Sequence, residues 1–271
     1  MSGFSLTAAF RTLYHLVRAD ILERTRRYSF LVMLGLVVWL AYAAATGLLV
    51  MNIPPNYVGQ INSAWVGALI ALTATLFLGW FGFYLVKGSI QHDYQTGVGQ
   101  ILATTPLSRP LYALGKWLSH AAVFGIMTLI LLAAGVIMNL IAGAGSLNVW
   151  ALVSPLLFVT LPALFLTAAV AVLFETVGWL RGGFGNIVYF FLFVVLLVPG
   201  VENQAYMPQL DFTGIRLIGD RIIAAANQAY PDSGSGFAFS IRSSIPDPQV
   251  FTYAGVDWNL EMIAWRAFFL L

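Results

Sequence analysis

Eleven carboxylates, three histidines and no cysteine make up the acid–base inventory of this 271-residue chain. Without cysteine there is no disulfide, no thiolate zinc site and no thiol catalysis. His15, His92 and His120 lie far apart and form no H-E-x-x-H pair, so they read as interfacial or packing residues and no metal site is expected. No serine occupies a G-x-S-x-G turn, and no nucleophile stands beside an evident base. A G-x-x-x-x-G-K-[ST] phosphate loop is also missing, so the chain has no P-loop route to ATP hydrolysis. The chemical character concentrates instead in Lys87 to Lys116, KGSIQHDYQTGVGQILATTPLSRPLYALGK, a polar, Gly- and Pro-punctuated segment between two long apolar runs. In a chain that is 60% hydrophobic and 9% charged, such a segment works outside lipid.

The elements that must position it are membrane helices. Charged content lies far below the roughly 25% of soluble domains, and mean hydropathy is +0.85. Runs able to cross about 30 Å of hydrocarbon fall near 29–51, 64–86, 112–142, 149–174 and 184–200. A sixth begins around Ile263 and is cut off at Leu271. That stretch reaches only about 14 Å as helix, which predicts that the native chain continues. The first run has the basic flank and Ala-rich end of a secretory signal. It is read as a retained span because it runs on through Met51 and follows too long a leader. The expected fold is an all-α integral membrane protein: an amphipathic elbow helix within 1–28, then a polytopic bundle of about six transmembrane helices over 29–271, the last truncated.

Charge placement orients the bundle. Arg11, Arg18, Arg24, Arg26 and Arg27 precede the first span, Lys87, Arg109 and Lys116 flank or occupy the second connection, and Arg181 lies in the fourth. The connections at 52–63 and 143–148 carry no charge. The positive-inside rule therefore places the N-terminus in the cytoplasm and the acid-rich segment 201–257 outside. A net charge of +2 suggests no nucleic-acid partner. In the elbow helix, Phe10, Leu13, Tyr14, Val17 and Ile21 recur at helical spacing, which suits a helix lying flat with its arginines toward headgroups. Gly67, Ala71, Thr75 and Gly79 form a small-residue stripe for close helix approach, either within the chain or against another subunit. Pro155 and Pro162 predict bends in the fourth span. Ionisable groups within the spans are scarce, which disfavours an ion-coupled secondary transporter.

Within the polar segment, Gly97 and Gly99 favour a break or helix start, and Val98, Ile101 and Leu102 give an apolar edge. Thr105-Pro106 ends that element. Ser108 can cap a new helix with Arg109 and Pro110 in its first turn. A plain solvated loop is the alternative.

In order and spacing these residues resemble the same connection in permease subunits of type-two ABC exporters. There it runs acid, glycine, apolar helix, "ATPVSR", an aromatic residue and "GK". This chain has Asp93, Gly97, Ile101-Leu102, Ala103-Thr104-Thr105-Pro106-Leu107-Ser108-Arg109, Tyr112 and Gly115-Lys116. The resemblance extends through Gly200. It implies a permease subunit of the cytoplasmic membrane that exports a substrate and binds no cofactor itself. ATP and Mg²⁺ would sit on a separate ABC ATP-binding subunit. That partner would dock on the coupling segment 88–111 through Gly97, Gln100, Ile101, Leu102, Pro106, Ser108 and Arg109. A second permease subunit, identical or different, would complete the pathway. Two departures stand out: Gln100 replaces the family's usual glutamate, and 201–257 is longer and more polar than the usual paired half-helices. A membrane scaffold or assembly factor without transport is the competing reading.

Overall fold

The computed structural model describes residues 6–104, 107–201, 208–241 and 245–269. The chain opens with α1 (Leu6–Arg24), followed by the apolar helix α2 (Tyr28–Ala45). The expected span to residue 51 ends earlier, because Gly47 takes a left-handed φ of 73° and turns the backbone out of the helix. The next residues become the strands β1 (Leu49–Ile53) and β2 (Tyr57–Gly59). Helix α3 (Ser63–Val86) starts where the Asn62 side chain accepts from the Trp65 N–H, a standard N-cap bond. Two short helices follow, α4 (Ser89–Gln95) and α5 (Val98–Ala103), and then the long α6 (Arg109–Ala142).

The fourth apolar run is helical but broken between its prolines. It comprises α7 (Val149–Pro155), a π-helical turn at Leu156–Thr160, and α8 (Leu161–Thr176). Pro162 has no N–H to give the carbonyl of Phe158 four residues earlier, and the backbone widens so that the Leu161 N–H bonds Leu156 O. Helix α9 (Gly183–Val201) follows, then α10 (Ile215–Ala229), strands β3 (Ala238–Ile241) and β4 (Gln249–Phe251), and α11 (Leu260–Phe268).

The protein is thus nearly all-α, and among the described residues four helical stretches are long and apolar enough to cross a membrane: α2, α3, α6 and the broken α7–α8. The apolar part of α9, Gly183–Val198, is shorter. One small sheet, which the sequence reading did not anticipate, has the order β3-β1-β2-β4. Strand β1 pairs antiparallel with β2 and with β3, and β2 pairs parallel with β4. Segment 201–257, among its described residues, shows no paired half-helices. It folds back as α10 plus two strands that complete a sheet begun in the first connection.

The sheet fixes which connections share an end of the bundle. Strands β1 and β2 lie between α2 and α3, and they pair with strands that follow α9. The third connection joins them, since the Ala144 N–H donates to Ile61 O and the Asn148 N–H to Ser63 Oγ. At the opposite end, Lys87 Nζ donates to Gly182 O and Asn186 Oδ1, bringing together the connections after α3 and after α8. Helix α1 packs there against the start of α6, where a Cβ on Gly115 would lie 1.9 Å from Leu16.

The small-residue stripe of α3 is used inside the chain. A Cβ on Gly67 would sit 2.7 Å from the carbonyl oxygens of Ala151 and Leu152, so α3 and α7 touch backbone to backbone. Ala71 O accepts hydroxyl bonds from Thr75 at 2.8 Å and Thr160 at 3.0 Å. The carbonyl of Gly79 takes the Tyr189 hydroxyl of α9, and Phe193 lies against the same glycine.

Candidate functional site: a buried ion cluster beneath the interspan helices

Helices α4 and α5 fill the connection between α3 and α6, at the end shared with α1. Gly97 joins them with φ at 77°, a conformation that favours glycine, and its N–H bonds Tyr94 O. Gly88 plays the same part before α4, at φ 97°. Three residues of the motif then meet in space although they span 24 positions of sequence from Asp93 to Lys116. Lys116 Nζ lies 2.8 Å from Asp93 Oδ2, and the Tyr112 hydroxyl donates to the same oxygen. The ammonium also lies 5.4 Å from the Tyr112 ring centroid.

A second carboxylate comes from α1. Asp20 Oδ1 is 2.6 Å from Lys116 Nζ, and Asp20 Oδ2 is 3.6 Å from Arg24 Nη2. Arg24 Nη1 donates to Val86 O, the last residue of α3. All four ionic side chains are buried: Lys116 is 2% exposed, Arg24 4%, Asp93 6% and Asp20 8%. Two positive and two negative groups balance, which is what permits such burial. Burial pushes the Arg24 guanidinium below its usual pKa, and Asp20 opposes that shift. Around the rim, Glu23 pairs with Arg27 and lies 2.8 Å from His92. Oxygens of Asp20, Glu23 and Asp93 come within 4.8 Å of one another. The Lys116 ammonium already bridges Asp20 and Asp93, so the cluster reads as an ion-pair network and not as a cation pocket.

The first turn of α4 is held separately. Glu175, at the end of α8 and fully buried, accepts from the Ile90 N–H at 2.6 Å and from the Ser89 hydroxyl at 3.4 Å. A carboxylate at this position satisfies backbone donors that a helix start leaves open. His120 Nε2 lies 3.2 Å from the same hydroxyl. Arg181 Nε returns to Glu175 O at 2.9 Å. Helix α4 is thus tied to α8 at its start, to α6 through Asp93 and to α1 through His92. Ser89, His120 and Glu175 are all buried, and the hydroxyl is held between the imidazole and the carboxylate. Mechanically the arrangement makes a load applied to α4 a load on three other helices.

The expected site residues separate into groups. Gln100 is exposed on α5, and its N–H bonds Gly97 O. Arg109 is exposed in the first turn of α6. Ser108 stands at the N-cap position, but its side chain makes no cap bond, and Tyr112 N–H bonds only its backbone carbonyl. Ile101 and Leu102 belong to α5, with side chains outside the described residues; Pro106 lies outside them altogether. Arg11, Arg18 and Arg26 are exposed and Arg27 is half-buried. Arg24 departs from its expected place at the headgroups, because Asp20 and the Val86 carbonyl draw it inward.

Three groups escaped the sequence reading. Asp20 carried one signal, its i,i+4 spacing to Arg24. Glu175 looked like an ordinary helix end. Arg266, only 2% exposed, donates to Phe158 O at 2.9 Å and Phe212 O at 2.7 Å, and also to Asp211 O. It therefore supplies the donor that Pro162 withholds from Phe158. Comparison of the chain with protein-family models, with curated proteins and with solved structures finds no match.

Proposed function

We propose that this chain is the permease subunit of an ABC exporter of the type-two class, driven by a separate ATP-binding subunit that docks on α4 and α5. One observation carries the reading. Asp93, Tyr112 and Lys116, the acid, aromatic and lysine of the motif, converge on one another and fasten the interspan helices to the long span α6. A plain solvated loop has no need for a buried, charge-balanced anchor beneath it. The four apolar helical stretches agree with a multi-pass membrane protein, and the scarcity of ionisable groups within them agrees with a motor located elsewhere. In this reading the N-terminus, α4 and α5 face the cytoplasm and the sheet faces outside. A second permease subunit completes the pathway, and ATP and Mg²⁺ sit on the partner.

Leu102→Asp tests the coupling role. A small contact concentrates its energy in a few residues, so one charge in its apolar edge costs about 2 kcal/mol or more, roughly thirtyfold in association. The variant inserts normally but loses the ATP-binding subunit on purification and loses stimulated hydrolysis in nanodiscs. Arg109→Ala is milder, because its first-turn arginine contributes one exposed charge. Normal association and coupled hydrolysis for Leu102→Asp would return this segment to a solvated connection.

A further inference from the structure

Where the sheet meets the bundle there is a cavity of about 300 Å³. Its floor is Met51 of β1, Trp65 and Leu69 of α3, and Met138 of α6, all buried. Val50 and Ile61, half-buried, and Pro248, exposed, stand at its rim. None of the described lining residues is charged, and the Trp65 indole N–H is their one strong side-chain hydrogen-bonding group. Ordered water needs two or more polar partners, and these side chains offer one. A polar ligand would meet the same objection.

The wall is also preformed. Trp65 meets Phe251 and Tyr253 edge-on, at ring centroid distances of 5.7 and 6.3 Å. On Gly59 a Cβ would fall 2.2 Å from the indole, so the ring packs directly on backbone and is not free to swing into the space. Because Leu69 is about 9 Å along α3 from the helix start, the cavity reaches from the sheet into the apolar bundle. Its volume has room for about ten small groups at about 30 Å³ each. It is at the lower end of ligand-pocket sizes and far too small for a folded partner.

We propose that this cavity binds a single hydrocarbon chain of a lipid or lipid-like amphiphile, with the polar head left outside. The two sources of such a chain are a bilayer phospholipid and a free long-chain amphiphile. The inference is independent of the transport reading, since it needs no ATP-binding partner.

Photolabelling of the full chain in nanodiscs tests it. In one arm the nanodisc contains phosphatidylcholine with a diazirine in its acyl chain. In the other the lipid is inert and a diazirine-bearing fatty acid is added. Adducts mapped by mass spectrometry are expected at Met51 and Met138, both buried away from bulk lipid. Their appearance in the first arm names a bilayer lipid, and in the second alone a free amphiphile. Ile61→Trp, which fills the cavity from its rim, is expected to suppress these adducts several-fold while leaving those at exposed Leu129 and Phe191 unchanged. Val50→Phe is a second filling variant should the first fail to fold. Absence of adducts at Met51 and Met138 in both arms overturns the proposal, as does labelling that a folded filling variant leaves intact.

Discussion

Removing the ammonium from the ion cluster should be among the most damaging single changes in this chain. In Lys116→Met, the partner left to Asp93 among the described residues is the Tyr112 hydroxyl, while Asp20 keeps Arg24 at 3.6 Å. Both carboxylates are more than nine-tenths buried, so neither regains the hydration that the ammonium replaced. Breaking a buried pair by deleting one partner costs about 3–5 kcal/mol. At about 2–4 °C per kcal/mol for a chain of this size, the thermal midpoint should fall by roughly 6–20 °C. The cost belongs mainly to the stranded charge, so adding Asp93→Asn should recover about 1–3 kcal/mol of it. Tryptophan fluorescence during heating of detergent-solubilised protein measures both variants against the parent. A fall of less than about 2 °C for Lys116→Met, or a double variant no better than the single one, would refute the buried-cluster reasoning.

Gly67→Val places atoms against the carbonyls of Ala151 and Leu152 and should cost about 1–3 kcal/mol, whereas Gly125→Ala, with nothing within 4 Å, should be neutral or stabilising in the same melt. Arg266→Met leaves the carbonyls of Phe158, Asp211 and Phe212 without their guanidinium donor; it should lower stability by about 1–3 kcal/mol for each carbonyl left unsatisfied. Arg266→Lys should restore only part of that loss, because an ammonium lacks the planar fork, and equal midpoints for Lys and Met would speak against the fork. On this cysteine-free background, Asp232→Cys and Ser146→Cys should label from one side of the membrane and Arg26→Cys and Gln91→Cys from the other. Asp232 is exposed, whereas its neighbour Ser233 is buried. Labelling of 232 and 91 from the same side would contradict the two-ended arrangement.

The apolar spans were legible because lipid imposes a length and composition that no local choice can evade. Their ends were less so: hydropathy continues smoothly from Ala45 to Met51, and only the left-handed turn at Gly47 distinguishes a helix from the strand that follows. Pro155 and Pro162 announced the break in the fourth run, but the compensating Arg266 lies over a hundred residues away and has no local signature. The sheet was invisible for the same reason, since β1 and β2 find their outer partners only after α9. At the candidate site, Asp93, Tyr112 and Lys116 stood out as a motif, whereas Asp20 gained meaning only when α1 was seen packed on α6. Arginines in a juxtamembrane helix look alike in sequence. The carboxylate four residues before Arg24 is what turns that one inward.

The central claim, that α4 and α5 form the seat of an ATP-binding subunit, is most directly tested by photo-crosslinking from Gln100, an exposed position of α5. A photoreactive amino acid at this position, in the full chain in its native membrane, should capture a polypeptide carrying a G-x-x-x-x-G-K-[ST] loop, and Leu102→Asp should abolish that adduct. Capture of lipid alone, or only of proteins without a nucleotide-binding loop, would contradict it.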